Sequence, residues 1–283
     1  MVDVSKYISV DYKLSDRLST KKMFSRKKGE TEINVLLDEP LTSDSCTKVV
    51  IEIVKYILYQ KQQIPFVYEA LARKFQTNVQ ATDRNAVSFK NLSNTLKNVS
   101  DHISSQFFLE GCDMKEVAVL LGATIFSPKV YIGIEFPPYI LNSKQHKEYQ
   151  HSSRKPLLKL MKAILECEEF QEAMSAPLGV TNTFIMLKKS DRNSVSDYFL
   201  PKPQYTPPTE TTRLDCFKIK LCHDNQVDIP CTCRTLIKIY HDSCKTDSEN
   251  ETDVQCSQYN GSTQSLYQWY QSKQVIRGFK FYS

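Results

Sequence analysis

Thiol, imidazole and carboxylate side chains gather in one stretch of the chain: Cys216, Cys222-His223-Asp224, Cys231, Cys233, His241-Asp242 and Cys244. These are zinc-ligand types, but a zinc site needs four of them and usually draws them from C-x₂₋₄-C pairs. No C-x-x-C occurs, and Cys231-x-Cys233 has no second pair at matching spacing. On a strand, Cys216 and Cys222 share a face but stand about 20 Å apart at ~3.3 Å per residue. They cannot hold one ion unless the strand bends. A Cys/His nucleophile pair needs only that one of the five histidines meet a thiol in space. The usual support is missing, since neither HExxH nor G-x-S-x-G is present. His146 and His151 are spaced wrongly for one helix face. Only 7 glycines occur in 283 residues, and neither G-x-G-x-x-G nor G-x-x-x-x-G-K-[ST] is among their patterns. Both common phosphate-cradling loops are therefore excluded. The residues predict a non-enzymatic protein with no catalytic residue, metal or cofactor. A zinc module or Cys/His enzyme built from residues 216–244 is the alternative.

Charge excludes further classes. The formal net charge is +5, and residues 1–32 supply much of it, with eight Lys/Arg against five Asp/Glu. A near-neutral body with a mildly basic tail is a poor ligand for nucleic acid, whose affinity comes from clustered cations. The longest apolar stretch, Val117 to Phe126, has ten residues, against about 20 needed to cross a bilayer. No uninterrupted apolar run follows the N-terminus, so no secretory signal is expected. Nine cysteines without one point to free thiols in a reducing compartment.

The elements that position these groups follow from apolar spacing. Residues 1–32 read as a disordered basic tail. Lys21-Lys22 and Arg26-Lys27-Lys28 fit either a two-part import signal or a solvated tail. A helix starts after Thr42-Ser43-Asp44-Ser45 and carries Cys46, Val49, Val50, Ile53, Val54, Ile57 and Leu58 on one face. Pro65 stops it, and its polar last turn, Tyr59 to Gln63, is expected to be exposed. A second helix spans about Asp83 to Phe108, with Phe89, Leu92, Leu96, Val99 and Ile103 inward. Val117 to Leu121 and Val130 to Phe136 read as strands joined by a turn over Thr124 to Lys129.

A third helix is predicted from Pro156 to about Phe170. Its apolar residues fall in two adjacent sectors: Leu157, Leu160, Ile164 and Cys167, then Leu158, Met161 and Leu165. Together they cover roughly 180°, where about 100° serves a surface helix. Either the helix is buried on two sides, or the second sector docks a partner; Glu168 within the arc favours a partly wet interface. Thr181 to Leu187, Phe217 to Leu221 and Leu236 to Tyr240 read as strands, and residues 242–264 as a flexible insertion. Tyr267 to Gln271 and Val275 to Tyr282 are aromatic strand candidates. The class is α+β: three helices, a sheet and an aromatic C-terminal wrap.

Several stretches resemble one family. EIVKYILYQKQQIPFVYEAL (52–71), VAVLLGATIFSPKV (117–130), YFLPKPQY (198–205) and the closing Trp269 with VIRGF (275–279) stand in the order of the comet family. The family's adaptors bind the closed form of the checkpoint protein Mad-two. The resemblance implies a HORMA-like fold, three helices on a mainly antiparallel sheet with a C-terminal safety-belt-like wrap, over residues 33–283. It implies that the chain's own tail fills the belt groove, with Trp269, Val275, Gly278 and Phe279 as self-belt residues. It implies binding of closed Mad-two through Gln60, Leu158, Met161 and Leu165, Met161 standing where the family has Phe. Pro201 and Lys202 fall on the family's contact to a hexameric AAA+ ATPase of the Pch-two, or thyroid-receptor-interactor, type. The implied role is disassembly of the mitotic checkpoint complex and silencing of the spindle assembly checkpoint. The implied location is the nucleus and cytoplasm, with the spindle or kinetochore in mitosis. A HORMA-type module of another branch, gripping a client peptide, remains the nearest rival.

Overall fold

The computed structural model describes residues 29–76, 83–109, 112–138, 140–141, 152–191, 196–208, 214–223 and 267–281. The basic tail to residue 28, the 236–240 strand, the 242–264 insertion and Asp224, Cys231, Cys233, His241, Asp242, Cys244, His146 and His151 lie outside the described residues.

The chain order is β1 (Thr31–Leu37), α1 (Ser43–Gln60), α2 (Tyr68–Gln76), α3 (Arg84–Phe108), β2 (Cys112–Gly122) and β3 (Pro128–Glu135). There follow α4 (Arg154–Glu166), α5 (Glu168–Ser175), β4 (Asn182–Asp191), β5 (Phe199–Pro201), β6 (Asp215–His223), β7 (Tyr267–Ser272) and β8 (Ile276–Arg277). One sheet holds the strands in the order β1-β6-β3-β2-β4-β7-β5, with β8 on β4. β6 pairs in parallel with β1 and β3, and the other pairings are antiparallel. The expected α+β class and mainly antiparallel sheet hold. The expected three helices become five among the described residues.

Two of the additions have plain causes. The helix predicted to run to Phe170 breaks at Cys167, whose backbone is extended (φ −83°, ψ 103°). Glu168 and Glu169 then open α5, where carboxylates favour the positive end of a helix. Glu168 is therefore not part of the α4 arc. α2 is a nine-residue helix beyond Pro65; Leu71 buries fully, and Tyr68 and Phe75 pack against Phe89 of α3. β1, at a sheet edge, begins at Thr31 and so takes in two residues assigned to the tail.

The sheet separates two cores. On one face, Ile33, Val35, Val117, Val119, Ile132, Ile185 and Ile219 meet the inward sides of α1, α3 and α4. Burial of such side chains contributes about 1.5–3 kcal/mol each. The apolar faces predicted for α1 and α3 are buried residue for residue. The side chain of Thr42 accepts from the Ser45 amide at 3.2 Å and caps α1. On the other face a smaller core joins Ala118, Leu120, Tyr131, Met186, Tyr205, Cys216 and Trp269. β3 is accordingly buried on both faces from Val130 to Ile134. Ion pairs also span this face: Lys220 with Glu32 at 2.7 Å and Lys218 with Glu135 at 3.2 Å.

Candidate functional site

α4 presents an apolar ridge to solvent. Its first intrahelical hydrogen bond runs from the Leu157 amide to the Ser153 carbonyl at 3.1 Å. Pro156 therefore sits where an N–H would find no helical partner, and its fixed φ suits the first turn. Pro156, Leu160 and Ile164 bury against the core, with Leu157 half-buried beside them. Leu158 stays 59% and Leu165 57% exposed, with Met161 half-buried between them. The offsets of three and four place all three along one stripe. The two sectors read from the sequence therefore part company: one seals the core, the other faces water. Lys155 reaches Glu39 at 2.5 Å and Lys159 reaches Asp38 at 2.5 Å, tying the helix to the chain after β1. Farther on, Gln171 of α5 donates to the Ile164 carbonyl at 2.9 Å and bonds the Tyr56 hydroxyl of α1 at 3.2 Å. That side chain satisfies a carbonyl left open by the end of α4 and fixes α4 against α1.

The end of α1 differs from its expectation. Tyr59 is exposed, Gln60 half-buried and Gln62 exposed, but Lys61 and Gln63 are buried, at 2% and 0% exposure. The Lys61 ammonium donates to the carbonyls of Ala173 and, at 3.1 Å, Ala176, with the Asp215 carboxylate 3.8 Å away. It caps the C-terminal end of α5, where a cation is favoured. Gln63 donates its amide to the carbonyls of Lys61 at 3.0 Å, Leu178 at 3.0 Å and Gly179 at 3.2 Å. Its side-chain oxygen accepts from the Thr181 amide at 2.7 Å. Both side chains are thus occupied by backbone, which is what allows polar groups into the interior. Gln62 has a positive φ of 53° and turns the chain out of the helix.

The C-terminal segment seats on that turn. The Phe279 amide donates to the Gln63 carbonyl at 2.8 Å. Gly278 is required there, because a Cβ would lie 2.7 Å from the Gln63 carbonyl carbon. Phe279 enters the main core, and Phe281 packs on Phe66 and Phe75 of the α2 region. A cleft of about 500 Å³ opens between the two, lined by Tyr59, Gln60, Pro65, Ser175, Phe279 and Phe281. Gln60 therefore faces the same cleft as a predicted self-belt residue, while the α4 ridge occupies a neighbouring helix. Earlier in the tail, Trp269 is buried on β7, edge-on to Tyr205 at 5.5 Å and under Lys188 at 5.6 Å. Val275 packs beside that far-face core.

Pro201 and Lys202 lie at the opposite edge of the sheet from β1. Among the described residues β5 pairs only with β7, with Pro201 opposite Tyr270. Proline suits such an edge, where no ladder donor is demanded. The Lys202 amide bonds the Trp269 carbonyl at 2.7 Å, and the Tyr205 amide bonds the Lys202 carbonyl at 3.0 Å. Pro201 is exposed and Lys202 half-exposed.

Of the Cys/His cluster, Cys216 is buried on the far face and Cys222 is exposed on the same strand. Burial pushes the Cys216 thiol up to about 12, with the Glu30 and Glu116 charges adding to it, so it is a protonated core residue. Among the described residues no three His, Cys, Asp or Glu side chains converge on a point that could hold a metal. No described helix is long and apolar enough to cross a membrane. Like Lys61 and Gln63, two further buried polar groups had no sequence signal: Lys189, bonded to Gln106 at 2.5 Å, and Glu116, which accepts from the Tyr131 hydroxyl at 2.8 Å. Desolvation raises the Glu116 carboxyl above its ordinary value.

The fold and the site together define an α+β domain with a mixed sheet and an exposed apolar ridge on α4. Comparison with known proteins places it further. The family described as "p31comet: Mad1 and Cdc20-bound-Mad2 binding" matches residues 12–223, more than half of the chain, and the chain belongs to that family. It is 25% identical over 195 residues to the Homo sapiens MAD2L1-binding protein, covering 64% of this chain and 68% of that protein. The Mus musculus protein of the same name is 25% identical over 197 residues, covering 64% and 67%.

Proposed function

We propose that this chain is a non-enzymatic adaptor that binds the closed conformer of Mad-two through the α4 ridge, with Gln60 contributing from the end of α1. The observation that carries the reading is the exposure of Leu158 and Leu165 on a helix whose other face is fully committed to the core. A stripe of that kind, with the flexible Met161 at its centre, suits a partner that fills an apolar strip and desolvates it. The family assignment and the named function of the relatives support Mad-two as the occupant.

The finer steps follow from the same reading. The domain is HORMA-like from residue 33, and its own C-terminal segment takes the belt position. The seating of Gly278 and Phe279 on Gln63 supports this. A filled groove argues against a HORMA module that grips a client peptide. Pro201 and Lys202, on an exposed sheet edge, offer a stiff segment and a point charge to a hexameric AAA+ ATPase. The adaptor then presents Mad-two for remodelling, which dismantles the mitotic checkpoint complex and silences the checkpoint. Such a role calls for a nuclear and cytoplasmic protein that reaches the spindle or kinetochore in mitosis.

Two variants test these steps separately. Gln60→Glu with Met161→Glu should abolish capture of closed Mad-two while leaving the thermal transition in place; retained capture would remove the site. Pro201→Ala with Lys202→Ala should spare Mad-two binding and block ATPase-driven disassembly. Loss of both activities would make that segment structural instead.

A further inference from the structure

Of the twelve prolines, two follow a hydroxyl residue: Ser127-Pro128 and Thr206-Pro207. They are far apart in sequence but adjacent in space, because the rings of the preceding residues, Phe126 and Tyr205, meet at 6.1 Å. Ser-Pro and Thr-Pro are the acceptor dipeptides of proline-directed kinases. Such an enzyme must take the acceptor in an extended segment and must reach the proline that follows it. The structure separates the two sites on both counts.

Ser127 lies in the turn between β2 and β3. Its amide donates to the Thr124 hydroxyl at 3.2 Å, and the two hydroxyls are bonded to each other at 2.9 Å. Pro128 is buried as the first residue of β3. Thr206 belongs to no helix, strand or turn; it is exposed, and Pro207 beside it is half-exposed. Proline holds the residue before it in the extended region, so Thr206 is already shaped for a kinase cleft. Tyr205, buried against Trp269 at 5.5 Å, anchors the segment on its N-terminal side. The turn that ends at Tyr205 begins at Lys202, whose carbonyl takes the Tyr205 amide at 3.0 Å.

We propose that Thr206 is a phospho-acceptor for a proline-directed Ser/Thr kinase, that the folded domain withholds Ser127 from the same enzyme, and that the added phosphate neutralises the charge offered by Lys202. In the transfer, the Thr206 Oγ forms a bond to the γ-phosphorus of ATP. The bond between that phosphorus and the β–γ bridging oxygen breaks, ADP leaves, and the hydroxyl proton passes to the kinase's base. The phosphate brings a charge of about −1.5 to −2 within four residues of Lys202. The α4 ridge, on the helical face of the sheet, lies away from this change. Phosphorylation would therefore detach ATPase engagement from Mad-two capture. This last step rests on the proposed role of Lys202; the acceptor assignment does not.

The full-length chain, folded or denatured in urea and diluted, is incubated with a purified proline-directed kinase and ATP, and phosphate is mapped by peptide mass spectrometry. The folded protein should carry phosphate on Thr206 and not on Ser127, and the denatured chain on both. Phosphate on Ser127 of the folded chain, or its absence from Thr206 while the denatured chain is labelled, overturns the proposal. The phosphorylated protein should bind the ATPase about tenfold more weakly than the Thr206→Ala variant treated alike, with equal Mad-two capture. Equal ATPase binding overturns the charge effect. If Lys202→Ala also leaves that binding unchanged, the ATPase contact itself is misplaced, while the acceptor assignment stands on the mapping alone.

Discussion

The end of α1 and the outer side of α4 invert the usual relation between polarity and burial. Lys61 and Gln63 are polar and buried, whereas Leu158 and Leu165 are apolar and exposed. The difference lies in what each side chain finds. Around Lys61 and Gln63, the ends of α5 and the chain leading to β4 bring carbonyls with no helical or ladder partner. Burying an ammonium and an amide there satisfies acceptors that would otherwise cost about 1–3 kcal/mol each. Beside Leu158 and Leu165 no described element arrives, because Leu160 and Ile164 already use the contact that the sheet and α1 provide. One region is polar and joins three segments of its own chain; the other is apolar and open to solvent.

The strongest way to break this contrast is to unseat the tail from the polar turn. Gly278→Val should lower stability by about 3 kcal/mol in urea unfolding, since overpacking and the displacement of Phe279 add together. A loss below about 0.5 kcal/mol would show that the tail is not held at Gln63. Next in size is Lys61→Met, which keeps the apolar stem but strands the carbonyls of Ala173 and Ala176. It should cost about 2 kcal/mol. A neutral result would mean that water replaces the ammonium.

Glu116 sharpens the contrast with a polar group that burial serves less well. Its carboxyl is raised by desolvation, against which the Tyr131 hydrogen bond and the nearby Lys188 and Lys218 charges work only in part. A carboxyl raised on folding favours the folded state at pH below its unfolded value and loses that contribution as pH rises through the folded value. Glu116→Gln should therefore stabilise the protein at pH 7 and have little effect near pH 4, read as the difference in melting temperature. A larger gain in acid would reverse the sign and refute the cause. The smallest effect belongs to Leu158→Ser with Leu165→Ser, which should change stability by less than about 0.5 kcal/mol. A loss above about 2 kcal/mol would mean that the ridge is part of the core.

The comparison also explains what could be read in the sequence. Periodicity exposed α1, α3 and the strands with strong apolar runs, since those patterns are local and the core confirms them. β1 carried a legible alternation of Ile33, Val35 and Leu37, masked by its place beside the charged tail. The break at Cys167 had a start signal in Glu168-Glu169, outweighed by apolar residues on both sides. The width of the α4 arc was visible, but only the packing of Leu160 and Ile164 decided which sector stayed wet. The burial of Lys61 and Gln63 had no signal at all, because most of their partners lie more than a hundred residues away. Local spacing reports an element's own faces and says nothing of carbonyls delivered from elsewhere.

The central claim is that the exposed side of α4 is a surface for another protein. Its most direct measurement is the affinity of the purified chain for closed Mad-two, by titration calorimetry, before and after Leu158→Glu with Leu165→Glu. The account predicts a loss of at least a hundredfold with an unchanged melting temperature, and no comparable binding to the open form. Equal affinity of the two proteins for closed Mad-two would contradict it.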